Sequence, residues 1–204
     1  MAETSTTSKD TSHGVIRLLP LVAVVALASL AHLLLPDVMG FDRSALEQYQ
    51  WWRLLTAHTV HLNIPHTVMN VAALCLVLAL VGDATTVRSW WLVYATIALV
   101  TSLALFLLDR ELVRYVGASG VIHGLVAYGA VLRLGSHRLE SGVLLVGLAA
   151  KLLYETQAGA ISGSAALIGA PVITAAHFYG AIAGGALAAS SLAWRRFSTR
   201  PSVT

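Results

Sequence analysis

The sequence predicts an all-α membrane protein, a bundle of six transmembrane helices with both termini on the cytoplasmic side. Of its 204 residues 57% are hydrophobic and only 11% charged, and the mean hydropathy is +0.75. A soluble domain has about 45–50% apolar and about 25% charged residues. The apolar residues fall into six runs, several of them near the roughly 20 residues that a spanning helix needs. Strand-type alternation is absent, so a helical bundle is the spanning structure that remains.

Residues 1–14 are polar and rich in Ser and Thr, and are expected to form a disordered cytoplasmic tail. The first apolar run, about residues 15–35, stops before Pro36 and lacks a small-residue cleavage site, so it reads as a retained helix. The second covers about 66–81 and is closed by Gly82-Asp83, and the third covers about 89–108. The fourth, about 119–134, is short. The fifth covers about 142–154 and the sixth about 172–194. Residues 15–195 make one domain, followed by a cytoplasmic tail at 196–204.

Charge sets the orientation. Lys9, Arg17, Arg88, Arg133, Arg138, Arg195, Arg196 and Arg200 fall on the side of the termini, against Arg43, Arg53, Arg110 and Arg114 on the other. Eight against four places both termini in the cytoplasm. The loop 36–65 is then outside, where Trp51 and Trp52 suit the headgroup region. The pI near 9.3 comes from dispersed basic residues and implies a lipid bilayer, not nucleic acid, as partner. The single Cys75 excludes an intrachain disulfide framework and a Cys-based metal site.

A helix of about 16 residues rises roughly 24 Å, short of a hydrocarbon core of about 30 Å. The start of the fourth segment is therefore recessed, and the preceding loop descends to meet it. Irregular backbone at that depth needs a water-filled cavity or a protein lining. A pocket opening outward above Ser119 follows.

Polar residues in the apolar runs form three groups. Gly117-Ala118-Ser119-Gly120 places a hydroxyl between glycines at a helix start, where backbone N–H groups lack intrahelical partners. That pattern fits a helix cap, and equally a nucleophile beside an oxyanion site. His177, Gly180 and Gly184 share one helical face, and the glycines admit a partner helix closely. At the depth of Ser119, a neutral His177 suits a general base. His66 and Asn70, at i and i+4, suit holding negative charge on a substrate oxygen. His58, His61 and His66 also cluster as a metal or proton site would. His123, one turn after Ser119, rivals His177 as base but points deeper than the attacking oxygen. Lys151 and Glu155, at i and i+4, form an intramembrane charge pair that is either a structural ion pair or part of substrate recognition.

Over about residues 50–190 these spacings together resemble the rhomboid intramembrane serine proteases: His61-x4-His66-x3-Asn70, then Gly117-x-Ser119-Gly120, then His177-x2-Gly180-x3-Gly184. The resemblance implies a Ser119 nucleophile and a His177 base, a dyad with no Asp. It implies an oxyanion hole from His66, Asn70 and the Ser119 N–H, with His61 structural, and neither metal nor cofactor. Trp52-Arg53-Leu54-Leu55-Thr56, His61-Leu62-Asn63, Tyr115 through Leu125 with His123, Lys151-x2-Tyr154-Glu155 and Ala176-His177-x-Tyr179-Gly180 are similar to the rhombosortase branch. That branch implies a bacterial inner-membrane protein whose site opens to the periplasmic face. It also implies transmembrane substrates with a C-terminal Gly-Gly sorting tail: a glycine motif, one helix and a basic end. An inactive client-binding relative, or a His-cluster metal or proton transporter, is the alternative.

Overall fold

Residues 19–34, 37–160 and 163–198 are described in the computed structural model. The expected tail at 1–14, residues 15–18 and 35–36 of the first run and its boundary, the end of the second tail at 199–204, and the charges Lys9, Arg17 and Arg200 lie outside the described residues.

Among the described residues, six long helices occupy the six apolar runs. They are α1 (Leu19–Leu34), α4 (Ile64–Val81), α5 (Val87–Leu108), α6 (Ser119–Arg133), α7 (Arg138–Ala158) and α9 (Thr174–Ser198). Short helices α2 (Arg43–Glu47), α3 (Arg53–Thr56) and α8 (Ser164–Ile168) lie between them. The stretch Ile64–Ala84 and helix α5 are each long and apolar enough to cross a membrane, and α1 is a shorter apolar helix.

Local chemistry sets the boundaries. The Asn63 side chain accepts the His66 N–H at 2.9 Å and Pro65 sits in the first turn, so α4 starts two residues earlier than its apolar run. Thr86 caps α5 through the Ser89 N–H at 3.2 Å. At the far end of α5, the Arg43 guanidinium donates to the carbonyls of Phe106 (2.9 Å), Asp109 (2.7 Å) and Leu112 (2.9 Å). The Phe106 carbonyl is one that the end of a helix would otherwise leave open, and the other two lie in the turn that follows it. Helix α7 exceeds its expected span of 142–154 by four residues at each end. Arg138, Glu140, Glu155 and Thr156 lower the hydropathy there without interrupting the helix. Likewise α9 continues to Ser198, past the expected start of the tail at 196.

Helix α6 is the centre of the bundle, packed against α4, α5, α7 and α9. Its contact with α9 is made through glycines. A methyl on Gly180 would overlap the Gly120 carbonyl, and one on Gly184 would overlap the Gly124 carbonyl. The expected approach at Gly180-x-x-x-Gly184 is therefore backbone against backbone. Trp90 is fully buried, with Nε1 donating to the Gly82 carbonyl at 2.9 Å and its ring edge-on to Tyr128. Arg133, at the far end of α6, bonds the Leu80 carbonyl and pairs with Asp83 at 3.1 Å and Glu140 at 3.5 Å. Helix α7 is peripheral. Ser141 and Glu155 are its two buried residues.

The segment between α1 and α4 is a folded cap rather than an open loop. Strands β1 (Phe41–Asp42) and β2 (Arg114–Tyr115) pair antiparallel, with Phe41 opposite Tyr115. Arg53 is buried and donates to the Gly40 carbonyl at 2.7 Å and to Gln50 Oε1 at 2.8 Å. Phe41, Leu46, Leu54, Leu105 and Tyr115 form a second apolar cluster under this cap. Trp51 and Trp52 are about half exposed on its outside.

Candidate active site

The backbone that descends to Ser119 is held at three points, two of them by the cap. The Gly117 N–H donates to the Ala57 carbonyl at 2.9 Å, the Tyr115 hydroxyl donates to the Gly117 carbonyl at 2.7 Å, and the Ala118 N–H donates to His61 Nε2 at 3.2 Å. Gly117 has φ +125, a conformation that side chains rarely adopt. A methyl there would also lie 2.9 Å from His66 Nε2. Polar backbone at this depth is thus satisfied by protein.

His61 and His58 belong to this support. Because His61 Nε2 accepts, Nδ1 carries the proton and donates to Ser29 Oγ at 2.7 Å, and the Ser29 hydroxyl in turn donates to the Val25 carbonyl at 2.7 Å. Burial holds His61 down to about 3 and His58 down to about 4, so both are neutral. His58, weighed as an outside-loop residue, is fully buried between Ser102 Oγ at 2.9 Å and the Tyr115 hydroxyl at 3.5 Å. With their ring nitrogens engaged in this way, His58 and His61 have little left to offer a metal.

Ser119 is the first residue of α6. The cap position itself is Ala118, which makes no side-chain cap bond. The Ser119 hydroxyl instead lies 3.0 Å from His177 Nε2. His177 is buried on α9, one turn before the Gly180 contact, and that contact brings the two side chains to one depth. His177 Nδ1 lies 2.8 Å from Glu155 Oε2, and Glu155 Oε1 pairs with Lys151 Nζ. A carboxylate accepts only, so Nδ1 carries the proton and Nε2 is free to accept from Ser119. The expected dyad with no Asp thus has a carboxylate at its back, that of Glu155. Sequence marked Glu155 as half of an intramembrane charge pair with Lys151, but not as the partner of His177, because α7 and α9 meet only in the fold.

His123 does not reach the Ser119 hydroxyl. Its Nδ1 donates to the Ser119 backbone carbonyl at 2.6 Å, and its ring stacks on His177 with centroids 4.2 Å apart and planes 13° apart. His123, Glu155 and His177 are the described set of ligand-type residues whose donor atoms gather, within 4.8 Å. Both nitrogens of His177 are already bonded, and two parallel rings cannot aim their lone pairs at one ion.

His66 and Asn70 stand on the facing helix, α4, both buried. The Leu62 N–H points at His66 Nδ1 at 3.4 Å, which leaves the proton on Nε2, the atom beside Gly117. Asn70 Nδ2 spends one hydrogen on the His66 carbonyl at 3.1 Å and keeps the other. Two cavities meet at Ser119 and His66. One, of about 300 Å³, runs under the cap past Phe41, Tyr115 and Val172. The other, of about 350 Å³, runs between α4 and α7 past Met69, Asn70, His123 and Lys151. Gly120, against the Ala176 carbonyl, keeps α9 close enough for this arrangement.

Residues 48–194 match the family model described as Rhomboid domain. No curated protein matches the chain.

Proposed function

The chain belongs to the rhomboid family, whose members are generally membrane-embedded serine proteases, and from that premise we propose that it cleaves single-pass membrane proteins within the bilayer by Ser119–His177 catalysis. The observation that carries this is the 3.0 Å approach of Ser119 Oγ to His177 Nε2 inside a cleft that two cavities enter.

Ser119 Oγ attacks the scissile carbonyl carbon as its proton passes to His177 Nε2. The oxyanion is held by the N–H of Ser119, by His66 Nε2–H and by the second Asn70 hydrogen. On collapse, the C–N bond breaks and His177 returns the proton to the leaving amine. Water then attacks the acyl-enzyme, with His177 again taking a proton, and frees Ser119. An extended substrate backbone lies across Ser119 with one flank in each cavity.

We further propose the rhombosortase branch. Its substrates would carry a C-terminal Gly-Gly sorting tail, a form of backbone narrow enough to approach Ser119. The chain would lie in the bacterial inner membrane with six spans, both termini cytoplasmic and the cleft opening to the periplasmic face. Fluorophosphonate labelling tests the chemistry. Label is expected on Ser119, lost in Ser119→Ala and His177→Ala; a folded wild-type protein that takes no label sinks the protease reading. Cleavage of a reporter ending in a Gly-Gly tail, lost when the glycines become valines, tests the branch.

A further inference from the structure

We infer that Glu155 is a positioning residue of this site, which makes the catalytic unit a Ser119–His177–Glu155 triad with Lys151 clamping the carboxylate. The inference rests on the protease reading above and adds a third member to it.

Geometry carries it. Glu155 Oε2 is 2.8 Å from His177 Nδ1, while Nε2 of the same ring is 3.0 Å from Ser119 Oγ, so one imidazole bridges carboxylate and hydroxyl. Glu155 is 5% exposed and lies in a helix whose other residues, Ser141 apart, are at least partly exposed. A carboxylate in that setting is costly unless it is paired. Its two oxygens are divided between Lys151 and His177, so the charge is met on both sides. Packing does not explain the residue. Helix α7 buries only Ser141 besides Glu155, and an apolar side chain at 155 would hold the helix more cheaply.

The pairing has three effects on the reaction. It fixes the tautomer with the proton on Nδ1, the form in which Nε2 can accept. It fixes the ring plane against rotation about χ2. It sets a negative charge beside the imidazolium that forms when Ser119 loses its proton. That proton stays on His177 until the amine leaves, and Glu155 remains a carboxylate throughout. His123, stacked on the ring, covers one of its faces.

Glu155→Gln keeps the size of the side chain but presents an amide. The amide N–H₂ donates to Nδ1 and draws the ring into the tautomer with Nε2 protonated, which cannot take the Ser119 proton. Fluorophosphonate labelling and reporter turnover would be followed in wild type, Glu155→Gln and Glu155→Asp, with thermal melting as the control for folding. Glu155→Gln is expected to lower kcat and the labelling rate by about 10²–10⁴-fold with KM within about threefold. Glu155→Asp should recover at least about tenfold of that loss, because the carboxylate returns at a longer reach. If Glu155→Gln unfolds, the double variant Lys151→Met/Glu155→Leu decides, since it removes both charges together and leaves none unpaired. A folded variant lacking the carboxylate that labels within about threefold of wild type overturns the inference. Failure of the wild type to label at all would instead remove the protease reading, so the two failures are distinguishable.

Discussion

His61 Nε2 accepts the backbone N–H of Ala118 at 3.2 Å, so the residue before Ser119 hangs on a side chain from a different segment of the chain. The same ring donates a hydrogen bond from Nδ1 to Ser29 of α1. One neutral imidazole thus ties the first helix, the cap and the start of α6 together.

Acid should release this tie. Burial lowers His61 from 6.5 to about 3 and His58 from 6.5 to about 4. Below pH 6.5 the unfolded chain binds protons that the folded one does not, so stability is full above that pH. It falls progressively down to about pH 4 for His58 and about pH 3 for His61, the share of His58 being on the order of 3 kcal/mol. Melting temperatures in detergent should drop between pH 7.5 and 4.5, and less so in His58→Gln. A midpoint that stays level or rises on acidification would contradict the assignment.

The glycine contact between α6 and α9 makes a second prediction. A methyl at Gly184 would overlap the Gly124 carbonyl, and backbone cannot swing aside as a side-chain tip can. Gly184→Ala should cost at least about 2 kcal/mol and, by pushing α9 outward, part His177 from Ser119. A methyl at Gly147, on α7, would meet nothing within 4 Å. Gly147→Ala should leave melting unchanged or raise stability by up to about 1 kcal/mol. Melting and fluorophosphonate labelling of both variants check the contrast, and equal behaviour would remove the packing argument.

The sequence carried the parts of this architecture that local pattern encodes. Apolar runs located the six long helices, and glycine spacing and helical periodicity singled out Ser119, His177, His66 and Asn70 as candidates, because these are local signals. The cap was not legible. Its two-residue strands and short helices α2 and α3 are held by Arg53, Arg43 and backbone pairing, none of which has a period. The ends of α7 were missed because polar residues continue a helix without being apolar. The meeting of Glu155 with His177 was missed for a different reason. It joins residues 22 positions apart on two helices, and only the packing of α7 and α9 decides it.

The two stacked imidazoles should separate by function. His177→Ala removes the acceptor at 3.0 Å from Ser119 Oγ and should abolish labelling. His123 bonds the Ser119 carbonyl and covers one face of His177, without touching the hydroxyl. His123→Ala should therefore leave measurable turnover, reduced by roughly 10–100-fold through looser placement of the His177 ring. A folded His123→Ala protein that is as dead as His177→Ala would reverse the choice of base.

The proposed oxyanion site gives the last prediction, and its members should differ in kind. His66 Nε2 stands beside Gly117, the point where the chain turns toward Ser119, and its proton is fixed there by the Leu62 N–H at Nδ1. Asn70 offers one hydrogen to the cleft, because the other is spent on the His66 carbonyl. Removing one donor aimed at a developing oxyanion costs about 10²–10³-fold in kcat. His66→Ala and Asn70→Ala should each lose about that much with little change in KM, since the charge exists only in the transition state. Asn70→Asp should be worse than Asn70→Ala, because it places a carboxylate where negative charge must form. If instead KM rises while kcat holds, His66 and Asn70 bind the substrate in its ground state and the oxyanion rests on the Ser119 backbone N–H alone. Steady-state turnover of a reporter by the three variants, set against unchanged melting, decides between these.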